Sequence, residues 1–261
     1  MRPVPVLMYH HVNPHKGDMV TVTPEVFAGQ MAHLGKAGYR VLSLEELLAC
    51  IRGDLTLKQK AVAITFDDGW LDNYLYAFPI LEKHRFPATI FVVTDWAERA
   101  SENTAPVPLT VPTHKESKRF VEGGEEHKVV LTWELAQEMA GTGLIDFCSH
   151  TKSHRRCDQL PEDMLLEELG GSRQIMEARL GKPCPSLCWP YGKYSAAAIR
   201  IARSSGYGAL FTTHPGVVRI KSDPLFIKRI VVKDDIAWFK KRMVIYTNPV
   251  LSACYLKLKK K

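Results

Sequence analysis

No CxxC pair and no dense cysteine framework occur among the six cysteines, Cys50, Cys148, Cys157, Cys184, Cys188 and Cys254. The chain therefore encodes neither a zinc ribbon nor a disulfide scaffold. Cys148 lies in an apolar run, where a buried free thiol is the usual state. Cys184 and Cys188 flank Pro185 but lack a second pair, which favours a structural role over metal binding. No apolar stretch approaches the ~20 residues that a membrane-spanning helix requires. The opening Met1-Arg2-Pro3-Val4-Pro5-Val6-Leu7-Met8 has too short an apolar run for a secretory signal and no small-residue cleavage site, so a cytoplasmic protein is expected. Nucleic-acid motifs are missing as well. Few aromatics interleave the basic residues, and the net charge of +7 predicts no DNA or RNA partner. Part of that charge gathers late, at Lys240, Lys241, Arg242 and Lys257-Leu258-Lys259-Lys260-Lys261. Residues 246–261 read as a solvated basic tail. The second reading of that tail is peripheral contact with an anionic inner-membrane surface, worth ~1 kcal/mol per basic residue.

What the chain does contain is alternation. Short apolar runs (Val4 to Tyr9, Ala61 to Phe66, Ala88 to Val93, Leu144 to Ser149, Ser186 to Trp189, Gly208 to Thr212, Leu225 to Val232) are separated by helix-periodic stretches. Thr23-Pro24 marks one helix start, Ser43 and Thr132 cap others, and Gly38 stops the first. Further helices are predicted over Leu71 to His84, Pro161 to Leu180, Ser195 to Ser205 and Ile236 to Met243. Strands separated by such helices predict parallel βαβ units, and about seven of them in 261 residues suit a distorted, closed (β/α) barrel. The α/β domain is expected over 1–245, with the tail at 246–261. Glu98 to Lys128 breaks the rhythm with Pro106, Pro108, Pro112 and Gly123-Gly124. It reads as a long loop and a mobile substrate lid.

Chemistry collects at the strand ends. Thr65-Phe66-Asp67-Asp68-Gly69 closes one apolar run, and His150-Thr151-Lys152-Ser153-His154 follows another. Asp-Asp-Gly alone is a common turn signal. Should the two strand ends converge, however, they bring together two imidazoles and a carboxylate with open positions, the ligand set of a hydrolytic metal centre. Zinc suits that set, as do nickel and cobalt. Gly69 lets the backbone turn, so one carboxylate can hold the metal while its neighbour stays free as a base. Ser149 and Thr151 offer short hydroxyls to brace the imidazoles. The first run ends in His10-His11, one of which can face such a site and protonate a leaving amine. Trp189-Pro190-Tyr191-Gly192 forms a sharp turn whose N–H groups either stabilise an oxyanion or simply follow a core aromatic. His214 reads as a turn residue, and His15, His33, His84, His114 and His127 as surface or capping groups.

In this order the strings resemble the polysaccharide deacetylase family, carbohydrate esterase family four, over about Val4 to Arg242. Thr-Phe-Asp-Asp-Gly and Ser-His-Thr-x-x-His are that family's first two signatures. Tyr9-His10, Pro190-Tyr191-Gly192 and Arg229-Ile230 are similar to the branch acting on poly-β-1,6-N-acetylglucosamine. The resemblance implies a distorted β/α barrel, a divalent metal held by Asp68, His150 and His154, and Asp67 as base. It further implies His10 as acid and the Tyr191 N–H in the oxyanion hole. Trp189, Pro190, Gly192 and Arg229 are expected to touch the saccharide. The implied activity is removal of acetyl groups from N-acetylglucosamine units of a surface polysaccharide, a lipopolysaccharide-type glycan or a lipid-linked saccharide. Two departures stand out: Leu187 occupies the position of an arginine that steadies the base in other members, and a late Leu-x-His string is missing. The rival expectations are another C–N hydrolase on this scaffold (a deformylase or cyclic amidase) and a glycan-binding protein without catalysis.

Overall fold

The computed structural model describes residues 2–258. In chain order its strands are β1 (Val4–Tyr9), β2 (His11–Val12), β3 (Thr21–Val22), β4 (Arg40–Leu42), β5 (Ala61–Phe66), β6 (Ala88–Val92), β7 (Ile145–Ser149), β8 (Ser186–Cys188), β9 (Ala209–Pro215), β10 (Val217–Val218) and β11 (Ile227–Val231). The helices are α1 (Pro24–Lys36), α2 (Leu44–Arg52), α3 (Phe78–His84), α4 (Thr94–Glu102), α5 (His114–Glu122), α6 (Trp133–Gly141), α7 (Glu162–Leu166), α8 (Ser172–Leu180), α9 (Ala196–Ser204), α10 (Ile236–Thr247) and α11 (Pro249–Leu258).

Seven parallel strands close the barrel in the order β1-β11-β9-β8-β7-β6-β5 and back to β1, as expected. Every residue of β1, β5 and β6 is buried. Strands covered on both faces are recognised as continuous apolar runs for that reason. The distortion lies at the N-terminal ends of the strands. There β4 pairs with Ala61 to Ala63 of β5, while β6 meets β5 only from Thr65 onward. Opposite, β10 runs antiparallel to Val4 and Pro5 of β1, while β11 joins β1 only from Leu7. Two short strands thus plug the places where the ring splays. Between β9 and β11 the register slips, with Ile227 opposite Phe211 but Arg229 opposite Pro215. Such irregularities re-aim side chains.

The local signals account for the helix starts. Ser43 and Glu46 form a reciprocal capping box on α2, a motif worth about 1 kcal/mol. Thr132 caps α6, and Pro24 opens α1. Three expectations need correction. The stretch expected as an open loop carries α4 and α5, because Thr113 and Glu116 build a second capping box. The long helix over Pro161 to Leu180 is interrupted by a π-helical turn at Glu167–Gly171, and a similar turn, Asn73–Ala77, precedes α3. The boundary at 245/246 falls inside α10, and α11 follows; Tyr246 and Ser252 are buried, so these residues belong to the fold. Lys259 to Lys261 lie outside the described residues. Arg219, next to β10, donates to Ser252 Oγ at 2.9 Å, which sets α11 against the N-terminal end of the barrel.

Candidate active site

Past Phe66 the Asp67 N–H donates to Tyr9 O at 3.0 Å, prolonging the β1–β5 pairing by one residue. Asp68 and Gly69 then take φ values of 74° and 73° and turn the chain across the mouth of the barrel. Gly69 takes its φ without strain, and a Cβ there would stand 3.3 Å from Val92 Cγ2, a tight contact that Val92 would have to relieve. The turn sends the two carboxylates in different directions, and both are buried.

Asp68 faces the histidine loop. His150 Nε2 and His154 Nε2 each stand 3.2 Å from Asp68 Oδ1, and Asp68 Oδ2 accepts from Trp70 Nε1 at 2.9 Å. Burial works to raise the Asp68 carboxyl, but the two imidazoles outweigh it and hold the group well below the usual carboxylate range. The loop is braced by Glu168 from the π-helical turn. Glu168 Oε2 accepts from the N–H groups of Lys152 (3.1 Å) and Ser153 (2.9 Å), and Oε1 accepts from the Ser153 hydroxyl. Ser149 Oγ accepts from Thr151 N at 3.0 Å. Thr151 and His154 both adopt positive φ, 67° and 61°. Left-handed backbone at two non-glycine residues persists only where surrounding bonds enforce it.

These residues fit a divalent metal. His150 Nδ1 donates to Cys188 O at 2.8 Å, which leaves the lone pair of Nε2 toward Asp68. Asp68 Oδ1 is buried and accepts no hydrogen bond, despite two ring nitrogens nearby. Lone pairs so placed repel one another without a cation among them, and the three donor atoms lie within 4.8 Å of each other. A second trio, Asp67, His150 and Cys188, is equally close. There the Arg229 guanidinium already touches both Asp67 and Cys188 Sγ (3.0 Å) and supplies the positive charge.

Asp67 turns the other way, into the barrel. Arg229 grips it with both ends of its fork, Nη1 to Oδ1 at 2.6 Å and Nη2 to Oδ2 at 2.7 Å. Its remaining donors reach Thr212 O (3.0 Å) and Thr65 Oγ1 (3.2 Å). Burial pushes the Asp67 carboxyl upward, and Arg229 overrides it, so the group stays ionised below its ordinary value. Arg229 is 1% exposed. The expectation that it touches saccharide is therefore corrected: the register slip on β11 carries it behind Asp67, where it does the steadying that Leu187 cannot. His10 stands across the cleft with Nε2 3.8 Å from Asp67 Oδ2. Burial lowers its pKa, and Asp67 offsets part of that. His11 points elsewhere.

The cleft between these groups measures about 370 Å³ and is walled by Trp70, Trp96, Trp189, Tyr191 and one face of α5. Tyr191 sits in left-handed backbone (φ 57°) in the turn after Trp189, its ring 4.7 Å from that of His154 and 55% exposed. Gly192 is obligatory, since a Cβ would meet Thr213 Oγ1 at 2.0 Å. Pro190 and Gly192 shape this turn and do not line the cleft, which corrects their expected contact with saccharide; Trp189 does line it, with a buried Nε1 that has no hydrogen-bond partner. The sequence brought Asp67, Asp68, His150, His154, His10 and Tyr191 to one place. It missed Glu168, the pairing of Arg229, and the place of His114, expected as a surface or capping group, in the cleft wall. His214 is exposed near the end of β9 and lies outside the cleft lining.

A model of the polysaccharide deacetylase family matches residues 54–210. YxkH of Bacillus subtilis (strain 168), named after polysaccharide deacetylases, is 29% identical over 215 residues, covering 82% of this chain and 65% of its own length. The poly-β-1,6-N-acetyl-D-glucosamine N-deacetylase of Escherichia coli (strain K12) is 23% identical over 240 residues, 81% of this chain and 34% of that protein. This chain thus spans less than two thirds of either relative. Among solved structures, the Streptococcus pyogenes deacetylase PplD superposes with a TM-score of 0.78 at 24% identity, covering 95% of this chain and 99% of that one, and shares the barrel fold.

Proposed function

The chain belongs to the polysaccharide deacetylase family, and from that premise we propose that it is a metal-dependent de-N-acetylase acting on N-acetylglucosamine units of a glycan. The observation that carries the reading is the division of labour between neighbouring carboxylates. Asp68 joins two imidazoles in a donor set, while Asp67, 2.6 Å from Arg229, is kept ionised and out of that set. A divalent ion held by Asp68, His150 and His154 would polarise the acetamide carbonyl and acidify a water; the proposal takes zinc, with nickel and cobalt suited to the same donors. Asp67 accepts the proton of the attacking water, and Arg229 fixes the orientation of its carboxylate. The Tyr191 N–H, turned by its positive φ, is assigned to the developing oxyanion. His10, its pKa lowered by burial and its Nε2 3.8 Å from Asp67 Oδ2, takes over the proton that Asp67 accepted from the water and passes it to the departing amine, which returns both groups to their starting state. Products are glucosamine and acetate.

The name of the Escherichia coli relative supports a β-1,6-linked N-acetylglucosamine polymer as substrate. Placement in the cytoplasm, peripheral at the inner membrane, belongs to the same proposal and is supported by exposed Lys240, Lys241 and Lys257. Helix α11 lies at the N-terminal end of the barrel, opposite the cleft. A membrane held there faces away from the site, which favours a long glycan over a sugar fixed close to its lipid. The test is acetate release from N-acetylglucosamine polymers and lipid-linked saccharides, with and without chelator, for the wild type and Asp67→Asn. Release that survives both treatments would sink the mechanism.

A further inference from the structure

His11 follows His10 yet enters a separate, buried chain of hydrogen bonds. Its Nδ1 lies 2.6 Å from Asp72 Oδ2, which also accepts from Asn13 Nδ2 at 3.1 Å. Asp72 Oδ1 accepts from Asn73 Nδ2 at 2.9 Å and, more weakly, from Val12 N at 3.4 Å. A carboxylate so placed holds the His11 proton on Nδ1, and the lone pair of Nε2 faces His114 Nδ1 at 3.0 Å. The proton between the rings then belongs to His114, whose own Nε2 is left as an acceptor. Burial first, and His11 next, lower the His114 pKa, in keeping with a neutral ring. That Nε2 has no hydrogen-bond partner among the described residues, and the ring lies in the cleft wall.

His114 opens α5, and the helix presents His114, Lys118, Val121 and Glu122 to the same cleft. Their spacing is one helical face. Trp70 separates this wall from the metal ligands. Its Nε1 binds Asp68, while His11 stacks on its ring (centroids 4.6 Å apart) and His114 meets it edge-on at 6.2 Å. Trp96 adjoins Trp70 at 5.5 Å and His154 at 5.2 Å. Trp70 is itself 1% exposed, so the aromatic surface open to the cleft is that of half-buried Trp96; with a fixed acceptor and two charged side chains beside it, this wall has the chemistry of a sugar subsite, since pyranose rings offer apolar faces and hydroxyl donors.

Resting on the deacetylase reading, we infer that α5 walls a saccharide subsite in which His114 Nε2 accepts a hydrogen bond from a hydroxyl of the sugar next to the one deacetylated. Asp72 and His11 are positioning residues that set the tautomer. α5 is then a fixed wall, tied to the barrel through His114.

The test compares a β-1,6-linked N-acetylglucosamine pentamer with a small aryl acetate ester that fills only the catalytic centre, using the metal-loaded full chain. His114→Ala is expected to lower kcat/KM for the pentamer about tenfold relative to the ester, mainly through KM, the loss of about one hydrogen bond. His114→Gln, whose amide oxygen can take the place of Nε2, restores most of it. Imidazole nitrogen-15 NMR of the wild type is expected to show His114 protonated on Nδ1. Equal losses on both substrates, no rescue by Gln, or a proton on His114 Nε2 overturns the inference. Pentamer binding to the metal-free protein, read by tryptophan fluorescence, separates it from the deacetylase reading. Binding weakened about tenfold in His114→Ala upholds the subsite even if no acetate is released, and unchanged binding overturns it.

Discussion

Replacing Arg229 by Met tests whether Asp67 is held ionised by one buried partner. The wild-type pair is enclosed, with side-chain exposures of 0% for Arg229 and 3% for Asp67. The substitution removes both bonds of the fork and the donations to Thr212 O and Thr65 Oγ1, the latter keeping its own bond to Leu7 O. Breaking a buried pair from one side costs about 3–5 kcal/mol, because the surviving charge stays in low dielectric. With a urea m-value of about 3 kcal/mol per molar, the midpoint should fall by roughly 1–2 M. The double variant Arg229→Met/Asp67→Asn should recover much of this loss, since no charge is then stranded.

The pH dependence gives a second handle. In the wild type the Asp67 pKa is lowered, so its stabilisation is present above the unfolded carboxylate pKa and is lost as pH falls through the folded value. Without Arg229 burial is opposed by His150 and His10 alone, and the sign is expected to reverse: the penalty builds above the unfolded pKa, about 4, and is relieved by acid. The gap between wild type and Arg229→Met, measured by urea unfolding in chelator, should therefore narrow below about pH 4. A loss under about 1 kcal/mol, a gap that widens in acid, or further destabilisation on adding Asp67→Asn would refute the reasoning.

Glu168→Gln weakens three bonds to the 150–154 loop, and metal affinity should drop about 10–100-fold in competition with a chromogenic chelator; unchanged affinity would mean the loop holds itself. Chelation of the wild type, or Asp68→Asn, should abolish acetate release, and saturating metal should raise the wild-type Tm by mass action; a Tm indifferent to metal removes the assigned site. His33 is lowered by burial and its buried Nε2 has no partner. The folded state thus prefers it neutral, and stability should decline as pH falls below about 6.5, with the slope flattened in His33→Leu; an identical slope in the variant contradicts this. Co-sedimentation with anionic vesicles at low salt should weaken in Val250→Asp and Lys257→Glu, both exposed on α11; binding indifferent to both changes excludes that helix as the contact.

The parts readable from sequence are those written locally. Ala61 to Phe66 is apolar at every position because β5 is covered on both faces, and its last residue hands the chain to Asp67 and Asp68. The pair His150 and His154 is legible because a short loop brings both rings to one carboxylate oxygen, Asp68 Oδ1. Ser43 and Thr132 declare helix starts through their own side chains. By contrast, α5 lies in a polar stretch preceded by three prolines, and its anchor, His114 on His11, spans 103 positions. The two π-helical turns leave no periodic signature short enough to separate from an α-helix.

Arg229 shows why the remainder is hidden from local patterns. It reaches Asp67 across 162 positions, through barrel closure and a slipped register that no local pattern announces. Yet the need for it is written in the chemistry, because an ionised carboxylate at a buried strand end requires a cation, and Leu187 cannot be one. The cation must come from an arginine or lysine on another strand that faces the barrel interior. Arg229, in the middle of β11, meets that demand, and charge compensation at buried Asp67 accounts for its place where contact with a neutral sugar does not.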